Sequence, residues 1–171
     1  MIVRSTDYIK SLVNEIIKLP NETEWIECKH NNEDPQMIGE YISALSNSAA
    51  LNGKTNGYII WGVDDTTHEI LGTTFTPSSA KKGGEALENW LLRLLEPKID
   101  FKFYEIKIDE KSIVLLEIAP AYRHPVTFSG TEYIRLGSHK KKLKELAEKE
   151  RELWRIFDLS LIHISEPTRP Y

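Results

Sequence analysis

Cysteine is nearly absent: Cys28 stands alone among 171 residues, which excludes an internal disulfide and any cysteine-rich zinc site. Long hydrophobic runs are also missing, since none approaches the roughly 18 to 20 apolar residues that span a bilayer. The first residues show no charged-then-apolar leader, so we expect no membrane association and a cytoplasmic setting. Positive charge is not in surplus either. Asp and Glu number 26 against 22 Lys and Arg, for a net charge of −4, and any contact with nucleic acid must come from a local basic patch. Internal repeats and low-complexity linkers are lacking as well. What is present is a 40% hydrophobic composition, enough for one domain with a real core and too short a chain for two of typical size.

Apolar residues recur with helical spacing at Ile9, Leu12, Val13, Ile16 and Ile17, which predicts a helix over 6–19 stopped by Pro20. A short strand follows at 25–28, on which Glu27 and Lys29 point to the same side because strand side chains alternate. Asp34 and Pro35 then open a helix running to Leu51, with Ile38, Tyr41, Ile42, Leu45 and Ala49 as its buried stripe. The run YIIWGV predicts a central strand at 58–63, with a second short strand at 68–72. Leu87, Trp90, Leu91, Leu94 and Leu95 predict a helix over 84–95 ending before Pro97. Alternating patterns predict strands at 101–108, 112–118 and 133–136. The last helix is expected over 142–157, burying Leu143, Leu146, Ala147, Leu153, Trp154 and Phe157. Strands interleaved with helices, with at least one hairpin, predict an α+β fold: a single compact domain with a mixed sheet flanked by helices.

Three features carry chemistry. Gly53-Lys54-Thr55 resembles the end of a phosphate loop, but a helix precedes it and a strand follows. That is the reverse of the order that aims helix N-terminal amides at phosphate. The second feature is a carboxylate set. Glu27 on its strand, Asp65 beyond the YIIWGV strand and Glu22 on the preceding loop could converge. Three such groups repel unless they hold a hard cation such as Mg²⁺ or Mn²⁺, the usual arrangement for phosphodiester chemistry, with Lys29 placed to meet a phosphate. The competing reading is an exposed acidic strand face and simple turn chemistry at Asp64-Asp65. The third is a basic segment, 119–144, with six Lys or Arg against one acid, Glu132. Arg123, His124, Arg135, Lys140, Lys141 and Lys142 there suit either a solvated face or a track for a phosphate backbone, with Tyr122, Phe128 and Tyr133 at hand to stack on bases.

The blocks ETEWIECKHNN and IGEYISALSNSAAL, NGYIIWGVDDTTHEILGTTF, and HPVTFSGTEYIRLGSHKKKL, in that order, resemble the Schlafen AlbA_2 domain over roughly residues 6–157. The resemblance implies a compact α+β domain that binds nucleic acid, RNA or DNA. From vertebrate relatives it implies a metal-dependent endoribonuclease acting on structured RNA such as tRNA. Glu22, Glu27 and Asp65 fall on the acidic pattern of those nucleases, which would make them ligands of Mg²⁺ or Mn²⁺. Leu45-Ser46-Asn47-Ser48 departs from the stretch usual in relatives. Because the vertebrate core grips RNA with two lobes, the resemblance also raises a homodimer. The alternative is a non-catalytic DNA-binding or regulatory module of a larger, ATP-binding bacterial protein. Residues 159–169, LSLIHISEPTR, resemble a translated sequencing adaptor, so the domain is expected to occupy 1–158 and a non-native tail 159–171.

Overall fold

A computed structural model describes residues 2–165, with side chains through Leu159, the only residue of the expected tail whose side chain is described. The first helix, α1 (Thr6–Ile16), is capped by the Ser5 hydroxyl, which accepts from the Tyr8 N–H. It is shorter than its apolar pattern because Lys18 and Leu19 donate to carbonyls three residues back, tightening the chain into a turn before Pro20. Strand β1 (Ile26–Lys29) leads to α2 (Pro35–Leu51), and the Asp34 carboxylate accepts from the Met37 N–H at the predicted cap. Strand β2 (Gly57–Trp61) pairs in parallel with β1.

The segment after β2 departs from expectation. No second strand forms at 68–72, and a single bridge joins Val63 to Ile70. The Asp64 carboxylate instead accepts from the Thr66 and Thr67 N–H groups, both at 2.8 Å, and folds the chain into a turn. Next come β3 (Lys81–Lys82) and β4 (Glu85–Ala86), a small hairpin whose turn residues Gly83 and Gly84 both have positive φ. This hairpin delays α3 (Leu87–Leu94), and β5 (Leu95–Glu96) follows directly. The long hairpin of β6 (Phe101–Ile108) and β7 (Lys111–Ile118) turns through Asp109 and Glu110. Both have left-handed backbones, as a two-residue hairpin loop demands. Two more hairpins link β8 (Thr127–Phe128), β9 (Thr131–Leu136) and β10 (His139–Lys142).

The last helix, α4 (Ala147–Ser165), starts later than expected. Lys140 to Lys142 pair with β9, and a 3₁₀ turn over Leu143–Glu145 absorbs the next residues. Of the residues expected to be buried on this helix, Leu153 and Phe157 are buried, whereas Ala147 and Trp154 are exposed.

The result is a mixed α+β architecture with two four-stranded sheets, ordered β1-β2-β7-β6 and β10-β9-β8-β5. On one face of the first sheet, α1 packs Ile9, Val13 and Ile16 against Ile26, Cys28, Tyr58, Ile60 and Leu115. On the other face, α2 packs Ile38, Ile42 and Leu45 against Ile59, Trp61 and Leu116. Between Met37 and Ala49 every residue except Glu40 is buried, because the second sheet closes over α2. Gly39 permits that approach: a Cβ there would lie 2.2 Å from the Phe128 ring.

The polar residues of α2 face this second sheet. The Ser43 hydroxyl donates to the Val126 carbonyl and accepts from the Tyr133 N–H. The Asn47 amide donates to the carbonyls of Val126 and Tyr133 and accepts from the Val126 N–H. The Ser48 hydroxyl donates to the Arg135 carbonyl and accepts from its N–H. A helix thus supplies β9 with the partners a neighbouring strand would otherwise give, leaving these buried backbone groups satisfied.

Candidate functional site

Alternation on β1 puts Ile26 and Cys28 on the α1 face and Glu27 and Lys29 on the α2 face. There the second sheet comes alongside, and Arg135 of β9 reaches across. Its Nε donates to Glu27 Oε1 at 2.7 Å, while Lys29 Nζ lies 3.3 Å from Glu27 Oε2. The rest of the guanidinium donates to the carbonyls of Asn21, Thr23 and Gly137. Glu24, from the same loop, accepts from the Gly137 N–H at 2.8 Å. The loop before β1 is therefore tied to the β9–β10 turn from both sides. Arg135 is only 4% exposed and Glu27 only 7%, so Arg135 does not share the surface with the lysines that follow it, as the basic pattern had suggested.

Glu27, Cys28, Asp65, His68 and Arg135 line one cleft of about 270 Å³ beside the edge strand β1. His68 has a left-handed backbone, φ +61, and its Nδ1 lies 3.0 Å from the Ile17 carbonyl, which accepts only, so that nitrogen carries the proton. Burial, reinforced by the Glu27 charge, pushes the Cys28 thiol up to about 12 and keeps it protonated.

Of the predicted carboxylates, Glu27 and Asp65 both line this cleft, while Glu22 is exposed and outside its lining. Among the described residues no three His, Cys, Asp or Glu side chains are grouped to hold a metal ion. Glu27 already faces two cations. As arranged, these residues do not fit a three-carboxylate cation cage.

Beyond Lys29 a cationic and aromatic cluster continues along α2. Lys29 and Lys140 lie 5.2 and 4.9 Å from the centroid of the Tyr41 ring. Lys140 Nζ donates to Glu40, which also accepts from Gln36 and the Tyr133 hydroxyl. Burial, with Glu27 adding to it, pushes the Tyr41 phenol up to about 12. Lys140 is thus turned inward, and Lys141 and Lys142, with His139 beside them, are exposed on edge strand β10. Lys144 is exposed too but shared between Glu132 and Glu150. Lys54 of the phosphate-loop lookalike lies 4.5 Å from the centroid of the Trp25 ring, and Gly53 has the left-handed φ of a helix-ending turn. Arg123 and His124 are exposed on the loop after β7. Sequence reasoning missed Glu24, Tyr41, His68 and the Ser43/Asn47/Ser48 set. A histidine after an Asp-Asp turn and a run of small polar residues within a helix were the signals available.

Fold and site together define a two-sheet α+β domain with a charged cleft at one sheet edge and a lysine-bearing strand at another. The chain belongs to the Schlafen AlbA_2 family, whose profile matches residues 22–144. No curated protein matches the chain. Among solved structures, the DIP2311 protein from Corynebacterium diphtheriae is similar at 14% identity and a TM-score of 0.53, over 80% of this chain and 26% of that one. The N-terminal domain of a RecG-related protein from Nitrosomonas europaea is similar at 21% identity and a TM-score of 0.49, over 81% of this chain and 93% of that domain. The chain thus spans about a quarter of the first of these. Among the described residues no helix is long and apolar enough to cross a membrane.

Proposed function

We propose that this domain binds nucleic acid through the β10 edge, with the Glu27–Arg135 cleft beside it. The observation that carries this reading is the exposure of His139, Lys141 and Lys142 together on one edge strand of a chain whose net charge is −4. Lysines exposed along an edge strand attract a phosphate backbone by releasing its counterions, whatever the net charge. Family membership points the same way. Replacing Lys141 and Lys142 with Gln is expected to weaken binding of labelled tRNA about tenfold at low salt. Unchanged affinity would remove the β10 edge from the interface.

A second reading, metal-dependent cleavage of RNA, is favoured by one observation: Glu27 and Asp65 line the same cleft. Asp65 is exposed, so Asp65→Ala tests it without disturbing the fold, whereas removing Glu27 would strand a buried arginine. Incubation of the chain with tRNA and Mn²⁺ separates the readings. Cleavage lost both in Asp65→Ala and with EDTA supports a metal-dependent nuclease that uses Asp65. Intact tRNA with binding retained supports a non-catalytic binding module.

A further inference from the structure

The loop between β7 and β8 is fastened at both ends to α2. The Ala121 N–H donates to the Ser46 carbonyl at 3.0 Å and the Val126 N–H to the Asn47 side chain at 2.8 Å. Ala121, Pro125 and Val126 are buried, while the three residues between, Tyr122, Arg123 and His124, are exposed. Arg123 is held with φ +69, a left-handed conformation uncommon for residues other than glycine. Its guanidinium lies over the Tyr122 ring, 5.0 Å from the centroid, and Tyr122 is 50% exposed. His124 meets Trp154 of α4 at right angles, with ring centroids 5.6 Å apart. Trp154 is 38% exposed and rests in turn on the buried Phe157.

Single exposed rings are ordinary on protein surfaces. Two rings, each with a basic neighbour, on supports that packing already holds in place are a different matter, because little ordering cost remains when a ligand arrives. Residues 119–131 contain Arg123 and His124 and no acid, while α4 over 147–158 carries three Lys or Arg against four acids, so it is the loop side of the patch that favours a polyanion over the mixed charge of an average protein surface. Of the nucleic acids, unpaired strands offer base faces to rings, whereas duplexes keep theirs stacked inside. We infer that Tyr122 and Trp154 form a stacking platform for unpaired bases, with Arg123 and His124 meeting the adjoining phosphates. This rests on the nucleic-acid reading above and adds to it a preference for single-stranded segments, on a surface separate from the lysines of β10.

The test compares a fluorescent single-stranded 12-mer with a fully paired duplex, using the full chain. A Tyr122→Ala, Trp154→Ala double variant is expected to bind the single strand about tenfold or more weakly, and the duplex no more than about twofold differently. Tyr122→Phe with Trp154→Phe, which keeps both rings, is expected to restore single-strand binding and serves as the folding control. Equal loss on both probes, or failure of the ring-retaining variant to restore binding, would overturn the platform. Unchanged binding to both probes would also overturn it and leave the patch to a protein partner. If the unaltered chain binds neither probe, the underlying nucleic-acid reading fails instead.

Discussion

Glu27 and Arg135 lie 108 residues apart in sequence and form a buried ion pair at 2.7 Å. Such a pair contributes little net energy when whole, yet removing one partner leaves a charge without compensation in a poor solvent for it. Glu27→Ala is expected to destabilise the fold by about 3 to 5 kcal/mol, read by urea denaturation, and a Glu27→Leu, Arg135→Met double variant is expected to lose less. Equal losses would contradict the pairing. Glu40 gives a pH signature. Burial acts to raise its pKa, but hydrogen bonds from Gln36, Lys140 and Tyr133 prevail and hold the carboxyl below its ordinary value of 4.5. Because the folded pKa is the lower one, this stabilisation is present above the ordinary value and is lost as pH falls through the folded one. The unaltered chain should therefore lose melting temperature more steeply below about pH 4.5 than Glu40→Gln; parallel curves would remove Glu40 from the account. At this scale the sequence disclosed the neighbourly relation of Glu27 and Lys29, which strand alternation imposes, but not Arg135 as their partner. Nothing local to IRLGSHKKK separates Arg135 and Lys140, turned inward, from Lys141 and Lys142, turned outward.

At the scale of elements, α2 is the centre of the molecule, and its buried polar residues serve where a strand would. Asn47→Ala would remove partners from both Val126 and Tyr133, and each buried backbone group left unsatisfied costs about 1 to 3 kcal/mol. We expect a loss of about 2 to 4 kcal/mol in thermal or urea unfolding, with the β8–β9 hairpin losing amide-exchange protection first. A loss below about 0.5 kcal/mol, in the range of ordinary surface changes, would contradict the substitute-strand role. The helix was legible through its Asp34-Pro35 start and apolar stripe. Its second packing face was not, because Ser46, Asn47 and Ser48 read locally as polar surface when their partners are remote backbone groups. The late start of α4 has a similar cause. The KKKLKE stretch favours helix locally, yet pairing with β9 claims the lysines as a strand.

For the whole molecule, the charge distribution governs more than the sum does. The chain is −4 overall, yet residues 119–144 carry six Lys or Arg against one acid. The structure divides those cations between interior and surface: Arg135 and Lys140 brace the cleft and α2, while Arg123, Lys141 and Lys142 stay exposed. Lysines on an edge strand also discourage edge-to-edge aggregation, so exposure is by itself consistent with two uses, which salt dependence distinguishes. The most direct measurement is the affinity of the chain for labelled tRNA across a salt series. The account predicts that log affinity falls linearly with log salt, and that Lys141→Gln, Lys142→Gln lowers the slope by roughly 1.5, about 0.7 to 0.9 for each lost phosphate contact. Affinity insensitive to salt, or a slope unchanged by the two substitutions, would contradict it.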